Sequence, residues 1–243
     1  MTVRYDELTV EWLGYATARV EDGGPIVYTD PGRYGVLDDY WARDGDVVLV
    51  THDHHYDPEG IRSVAEDAAT LVIYEAVDPE RIDRDVESID ALAADYDVIR
   101  VDDETETEIV TPAGTVTVWT VAAYNERDGP RADADGSVPH PEGFGCGFLF
   151  STGERTVFWP GDSDALDGFA ELDVGVFLAN IGGGNIVSDR HESADLAERM
   201  DPDLVVPIHY DTFEALEADG EAFAGDVAAQ SIPVALDARS ADQ

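Results

Sequence analysis

With 243 residues, 44% of them hydrophobic and 28% charged, the chain has enough apolar side chains for a folded core and a length suited to one α/β domain spanning 1–243. Its 14 basic residues, all arginine, stand against 54 acidic ones for a net charge of −40, and a field of that sign repels nucleic acid and anionic lipid. Neither is an expected partner, and a purpose-built binder of cations or basic proteins is the alternative use of such a charge; oligomeric state is not legible.

The first third reads as a β-meander, "LTVEWLG" (8–14), "ATARVED" (16–22) and "PIVYTDPG" (25–32), separated by Gly and Asp turn residues. "DVVLV" (46–50) is too short for a helix and too apolar for a surface strand, so it is expected to be a strand covered on both faces. Apolar positions at helical spacing predict a helix over 57–69, and "TLVIYE" (70–75) a following strand, which makes a βαβ unit. The acidic stretch 76–105 carries short helices and a strand near "DVIRV". Strands resume at "TEIVTP", "TVTVWTVAAY", "GFGCGFLFS" and "RTVFWPGD", interrupted by the polar loop 125–142, whose length marks it as mobile or functional. A second strand, helix, strand pattern follows in "DVGVFLANIGG", "HESADLAERM" and "DLVVPIHY", and the tail holds a helix around "EAFAGDVAAQ" and a last strand "IPVAL". Two sheets packed together with helices outside are expected.

An acidic surface without lysine is tolerable where concentrated salt shortens the screening length to about 3 Å at 1 M, so the charge reads as the surface of a halophilic protein. The single Cys146 excludes an intramolecular disulfide, and its apolar surroundings in "GFGCGFLF" predict a small buried hydrophobe. The N-terminus shows no basic start followed by an apolar stretch, and no apolar run approaches the ~20 residues needed to span a bilayer. A soluble, cytoplasmic protein is expected.

Chemistry concentrates at strand ends. Three of the six histidines fall between His52 and His55, directly behind the aliphatic run. "TVFWPG" leads into Asp162, "LVVPI" into His209 and "IVYT" into Asp30. Side by side in a sheet, strands of this kind bring such residues to one crevice, and imidazole with carboxylate suits zinc, iron or manganese. Each residue also has a plainer reading: His209 as a satisfied core histidine, Asp162 as a turn initiator, and His191 as a partly exposed residue in the first turn of a helix. The crevice accounts for the others together.

The order His-x-His after a strand, a strand ending in Gly-Asp, and a strand ending in His-Tyr resembles the metallo-β-lactamase superfamily, in particular the branch of ascorbate-6-phosphate lactonase and related metal-dependent hydrolases. "VEWLGYATARVED", "VLVTHDHH", "HPEGFGCGFLF", "WPGDSD" and "HESADLAERMDPDLVVPIHYDTF" carry the likeness over nearly the whole chain. The resemblance implies a four-layer αββα sandwich and one or two metal ions, zinc first and manganese or iron as alternatives. It implies that His52 and His54 hold the first ion, that Asp162 bridges, that His209 holds the second, and that Asp30 orients the histidine loop. It also implies a small-molecule substrate and hydrolysis of its ester, lactone or phosphoester by activated water. The family pattern is His-x-His-x-Asp-His, whereas this chain reads His52-Asp53-His54-His55-Tyr56-Asp57. Either Asp57 replaces the missing acid, as ligand and proton carrier beside Asp162, or His55 contributes. A histidine of the middle section is replaced by Tyr124 and Asn125, which leaves His140 as the candidate, and Tyr15 stands where the family has a histidine. A hydrolase is the first reading; a binding module of the same fold without efficient catalysis is the second, and a mononuclear redox centre the third.

Overall fold

In the strand Leu8–Gly14 the side chains alternate between core and partial exposure as far as Trp12, while in Gly45–Val50 every residue is buried. These two patterns distinguish a meander at the sheet margin from a strand covered on both faces. The computed structural model describes residues 2–32, 40–153 and 155–237. The first sheet runs in chain order: β1 (Val3–Tyr5), β2 (Leu8–Gly14), β3 (Thr17–Asp22), β4 (Ile26–Thr29), β5 (Gly45–Val50), β6 (Ala65–Tyr74) and β7 (Asp97–Val101). Pairing is antiparallel up to β4 and parallel from β4 to β7. The second sheet comprises β8 (Glu106–Thr111), β9 (Gly114–Ala123), β10 (Gly145–Ser151), β11 (Thr156–Trp159), β12 (Val176–Asn180) and β13 (Leu204–Ile208), in reverse chain order. Here too the antiparallel strands come first and β11, β12 and β13 are parallel.

One apolar core joins the sheets, with Val10, Val48 and Leu71 contributed by the first and Phe148, Phe158 and Val206 by the second. Helix α1 (Pro58–Val64) packs on β6, α2 (Ile89–Leu92) is a single turn, and α3 (Arg190–Met200) packs on β12 and on α4 (Gly220–Ala229). This is the αββα arrangement expected from the sequence.

Two boundaries differ from expectation. The helix predicted over 57–69 stops at Val64, because pairing with β5 draws Ala65 and the residues after it into β6; sheet hydrogen bonds override the helical preference of a short Ala- and Glu-containing stretch. The predicted last strand "IPVAL" is reduced to one bridge between Val205 and Val234, tied by Val205 N to Pro233 O (2.9 Å) and Ala235 N to Val205 O (2.9 Å). No helix among the described residues is long and apolar enough to cross a membrane.

A net charge of −40 is a self-repulsion that the fold must carry. The unfolding temperature is therefore expected to rise as KCl goes from 0.1 to 1 M, where the screening length falls from about 10 to about 3 Å. Circular-dichroism melts across that range test it, and a melting temperature independent of salt would show that the acidic surface does not limit stability.

Candidate metal centre

The parallel strands of both sheets deliver their chemistry at C-terminal ends. β4 is followed by Asp30, β5 by Thr51 and His52 and then a 3-10 turn over Asp53–His55, β11 by Gly161 and Asp162, and β13 by His209. The loop after β9 contributes His140, so the two sheets and one long loop meet at a single point. The Asp162 carboxylate occupies that point. Its oxygens lie 3.2 Å from His209 Nε2, 3.4 Å from His140 Nε2, 3.6 Å from His55 Nε2 and 3.7 Å from His52 Nε2. His54 closes the group from the open side, its Nδ1 3.2 Å from His140 Nε2.

Backbone geometry shows how tightly the cluster is held. Tyr15, Asp30 and His209 all sit at positive φ (49°, 39° and 59°), a region that costs side-chain-bearing residues free energy. Tyr15 O accepts from His209 N (3.0 Å), and the Tyr15 ring stacks on the His209 imidazole with centroids 4.5 Å apart, so the β2–β3 turn clamps the second sheet's ligand. Gly161, at φ 63°, can be no other residue: a Cβ there would lie 2.5 Å from Cys146 O. At Gly145 a Cβ would meet His52 Cβ at 2.8 Å, so β10 can approach the histidine loop only without a side chain.

Hydrogen bonds behind the rings fix which nitrogen faces inward. Asp30, itself buried, accepts from Thr51 N (2.8 Å), Thr51 Oγ1 (2.8 Å), Trp159 Nε1 (2.7 Å) and His55 Nδ1 (2.9 Å). With the Thr51 hydroxyl hydrogen directed to Asp30, Thr51 Oγ1 is left to accept from His52 Nδ1 at 2.9 Å. On the loop, Asn125 Oδ1 accepts from His140 N (3.0 Å) and His140 Nδ1 (3.2 Å). His52, His55 and His140 thus present bare Nε2 atoms to the centre, the arrangement by which ligand imidazoles are oriented. Asn125 is in turn held by Asp164 (2.9 Å), and Asp164 by Arg131 (3.0 Å), which also donates to Val187 O at 2.7 Å and pairs with Glu192. The loop 125–142 is anchored by a buried arginine.

Electrostatics follow from this enclosure. Burial pushes His52 well below the ordinary histidine range, assisted by His55; burial likewise lowers His54, and lowers His140 to about 4. These rings are neutral at pH 7, the form that binds a metal. For His55, burial opposes the charged form but the Asp162 and Asp30 carboxylates prevail and raise it. Asp162 is held well below the carboxylate range: burial alone would raise it, and His209 and His55 overcome that.

The donor set fits a cation. His52 Nε2, His55 Nε2, both His209 nitrogens and both Asp162 oxygens are buried without a hydrogen-bond partner, a concentration of orphaned polar atoms that costs far too much to be structural. The ligand atoms of His52, His54 and His140 lie within 4.8 Å of one another, as do those of His52, His55 and Asp162. The His54–His140 separation of 3.2 Å matches two nitrogens on one tetrahedral ion with bonds of about 2.0–2.1 Å.

Of the residues singled out from the sequence, His52, His54, His55, His140, Asp162 and His209 are brought together, with Asp30 directly behind them. Asp57 is not. Its Oδ1 caps α1 through Glu59 N and Gly60 N (both 3.1 Å) and its Oδ2 pairs with Arg84 at 3.2 Å, so it does not take the place of the missing acid. The reason is local: an Asp followed by Pro58 is a strong helix start, and the cap turns the carboxylate toward the helix. Tyr56, in the family's acid position, is buried with its hydroxyl on Glu87 O (2.9 Å). His191 is exposed in the first turn of α3 and lies outside the cluster. Sequence reasoning missed Thr51 and Trp159, and noted Asn125 as a replaced ligand when it is the group that orients His140. Its position after an apolar strand was the signal available.

Residues 9–209 match the profile of a family described as the beta-lactamase superfamily domain. The chain belongs to the metallo-β-lactamase superfamily. A UPF0173 protein from Pyrococcus furiosus is 30% identical over 221 residues, 89% of each chain. A UPF0173 metal-dependent hydrolase from Salinibacter ruber is 25% identical over 241 residues, 89% of this chain and 90% of its own. Among solved structures, a metallo hydrolase from Ignicoccus hospitalis superposes with a TM-score of 0.68 at 18% identity, covering 94% of both chains, and a metallo-β-lactamase fold protein from Bacillus subtilis with 0.63 at 14%, covering 97% and 98%. These structures share the superfamily fold.

Replacing Asn125 by Ala removes the acceptor for His140 Nδ1 and frees the ring to turn. Metal affinity is expected to fall about 10- to 100-fold, the usual loss when such a supporting partner is removed. Competition with a chromophoric chelator measures this, and an affinity equal to wild type would remove His140 from the ligand set.

Proposed function

We propose that the protein is a metal-dependent hydrolase acting on an ester, lactone or phosphoester of a small molecule. The observation that carries this reading is the set of orphaned imidazole nitrogens around one buried carboxylate that makes no hydrogen bond. His52, His54 and His140 would hold one ion and His55 and His209 a second, with Asp162 shared between them; zinc suits the nitrogen-rich set best, and manganese or iron suits it next. A divalent ion there supplies acidification of water at neutral pH and polarisation of the carbonyl or phosphoryl oxygen under attack. The relatives named as metal-dependent hydrolases support the same reading.

The chain's own groups divide the remaining work. Asp162 stays ionised and balances cationic charge among the imidazoles. With Asp57 turned away, Asp162 is the carboxylate left in the cluster, and with its oxygens shared between the ions it would serve by balancing charge and orienting them, the proton of the attacking water passing to the departing oxygen. Asp30 and Asn125 hold the rings against rotation while this happens. Tyr15, Phe144 and Phe213 wall a cleft of about 560 Å³ onto which His54 opens, a size for a small molecule.

Elemental analysis of protein purified in high salt tests the reading. About one or two equivalents of zinc, manganese or iron are expected, reduced in His52→Ala, and hydrolysis of a chromogenic ester is expected to disappear with chelation and return when metal is restored. A wild-type protein that neither contains nor takes up metal would instead support the binding-module reading.

A further inference from the structure

We propose that the cleft beside the metal cluster selects a substrate bearing an oxyanion, a carboxylate or phosphate group, and that Arg81 and Arg84 bind it; this rests on the hydrolase reading above. Arginine is scarce in this chain, 14 residues against 54 acids, yet two guanidinium groups line the same cleft as His54. Both are fixed by the histidine loop itself. Asp53, almost fully buried, pairs with Arg81 Nε at 3.0 Å and Nη2 at 3.3 Å, and accepts from Asp78 N at 2.7 Å. Asp57, equally buried, pairs with Arg84 Nη1 at 3.2 Å, while Arg84 Nη2 donates to Tyr56 O at 2.6 Å.

The two loop acids that stay out of the metal cluster therefore organise the opposite wall. Arg81 is further held over the Phe144 ring, its guanidinium carbon 5.7 Å from the centroid. A guanidinium has five N–H donors, and these contacts leave some of them free. Arg81 Nη1 and Arg84 Nε make no hydrogen bond to the described residues, and the Arg81 side chain is 47% exposed. Such anchored forks match the planar edge of a carboxylate or the face of a phosphate and lose little entropy on binding. Asp83 also lines the cleft, but it is exposed, and concentrated salt screens it; Asp53 and Asp57 are consumed as arginine partners. The apolar part of the substrate would lie against Tyr15, Ile82 and Phe213.

Titration calorimetry of metal-loaded protein in 1 M KCl, with succinate and separately with inorganic phosphate, tests the assignment. Saturable binding of at least one is expected, weakened about tenfold or more in Arg84→Gln and in Arg81→Gln at unchanged metal content, and the tighter of the two anions names the oxyanion. Lysine at either position retains a cation for the buried aspartate but lacks the fork, so Arg84→Lys keeps the test valid should the glutamine variant not fold, with the same loss expected. Mono-4-nitrophenyl succinate should be hydrolysed with a kcat/KM at least tenfold above that of 4-nitrophenyl acetate in wild type, and the preference should shrink in the variants. Binding equal in wild type and folded variants, or equal kcat/KM for the two esters, would reduce both arginines to ties for the segment after β6 and overturn the proposal. Metal content on the same samples reports separately on the hydrolase reading. If no metal is present, anion binding by the metal-free protein must still depend on both arginines.

Discussion

A carboxylate withdrawn from water without a hydrogen bond is among the costliest features a folded chain can hold, and Asp162 is in that state with imidazole nitrogens on every side. Much of the surrounding architecture can be understood as enforcing this arrangement. The parallel halves of the two sheets aim at it, Gly161 permits the turn that delivers it, and Gly145 lets β10 close against His52. Positive φ at Tyr15, Asp30 and His209 stores strain at this location, whereas the other non-glycine residues with positive φ among those described are exposed. A cation held there would offset that cost and stabilise the folded state by mass action.

Behind the ligands lies a second tier with its own logic. Two oxygen acceptors, Asp30 on the first sheet's side and Asn125 on the loop, determine the inward nitrogen of three rings, directly for His55 and His140 and through Thr51 for His52. The two acceptors differ in charge. Asp30 adds a negative charge behind His55 and strengthens it as a donor toward a cation, whereas Asn125 orients His140 without charge. Its anchor is the ion-pair cluster that Asp164 and the half-buried Glu192 form around the buried Arg131 guanidinium; removing Asp164 would leave uncompensated buried charge. The long loop thus presents His140 from an anchored position.

The fold was legible because its signals are additive: alternation in the meander, continuous aliphatic runs in the parallel strands, and turn residues between them. Where it was misjudged, at 65–69 and at "IPVAL", local propensity was outvoted by strand pairing or left without a full partner. The clustered residues were legible at strand ends because a sheet's C-terminal edge gathers whatever follows each strand. Asp57 was not, since sequence spacing cannot say whether an acid before Pro58 caps a helix or faces a metal. Neither could spacing show that Asn125 folds back on His140 across a gap of 15 residues, because loop closure leaves no periodic trace.

The departure at Tyr56 and Asp57 then has a physical interpretation. A carboxylate in the family's usual acid position would add negative charge to the second ion's ligands; in this chain that position is a buried tyrosine tied to Glu87 O, and the next residue turns to α1 and Arg84. In the proposed ligand set His55, backed by Asp30, would contribute the imidazole there. With an imidazole where a carboxylate would otherwise bind, a cation held there would be less neutralised by its direct ligands. A centre with more residual positive charge binds anions more strongly. The loop that gave up its acid as a ligand spends Asp53 and Asp57 on holding two arginines at the adjoining cleft, so the charge removed from the centre and the guanidinium groups placed beside it favour the same class of ligand.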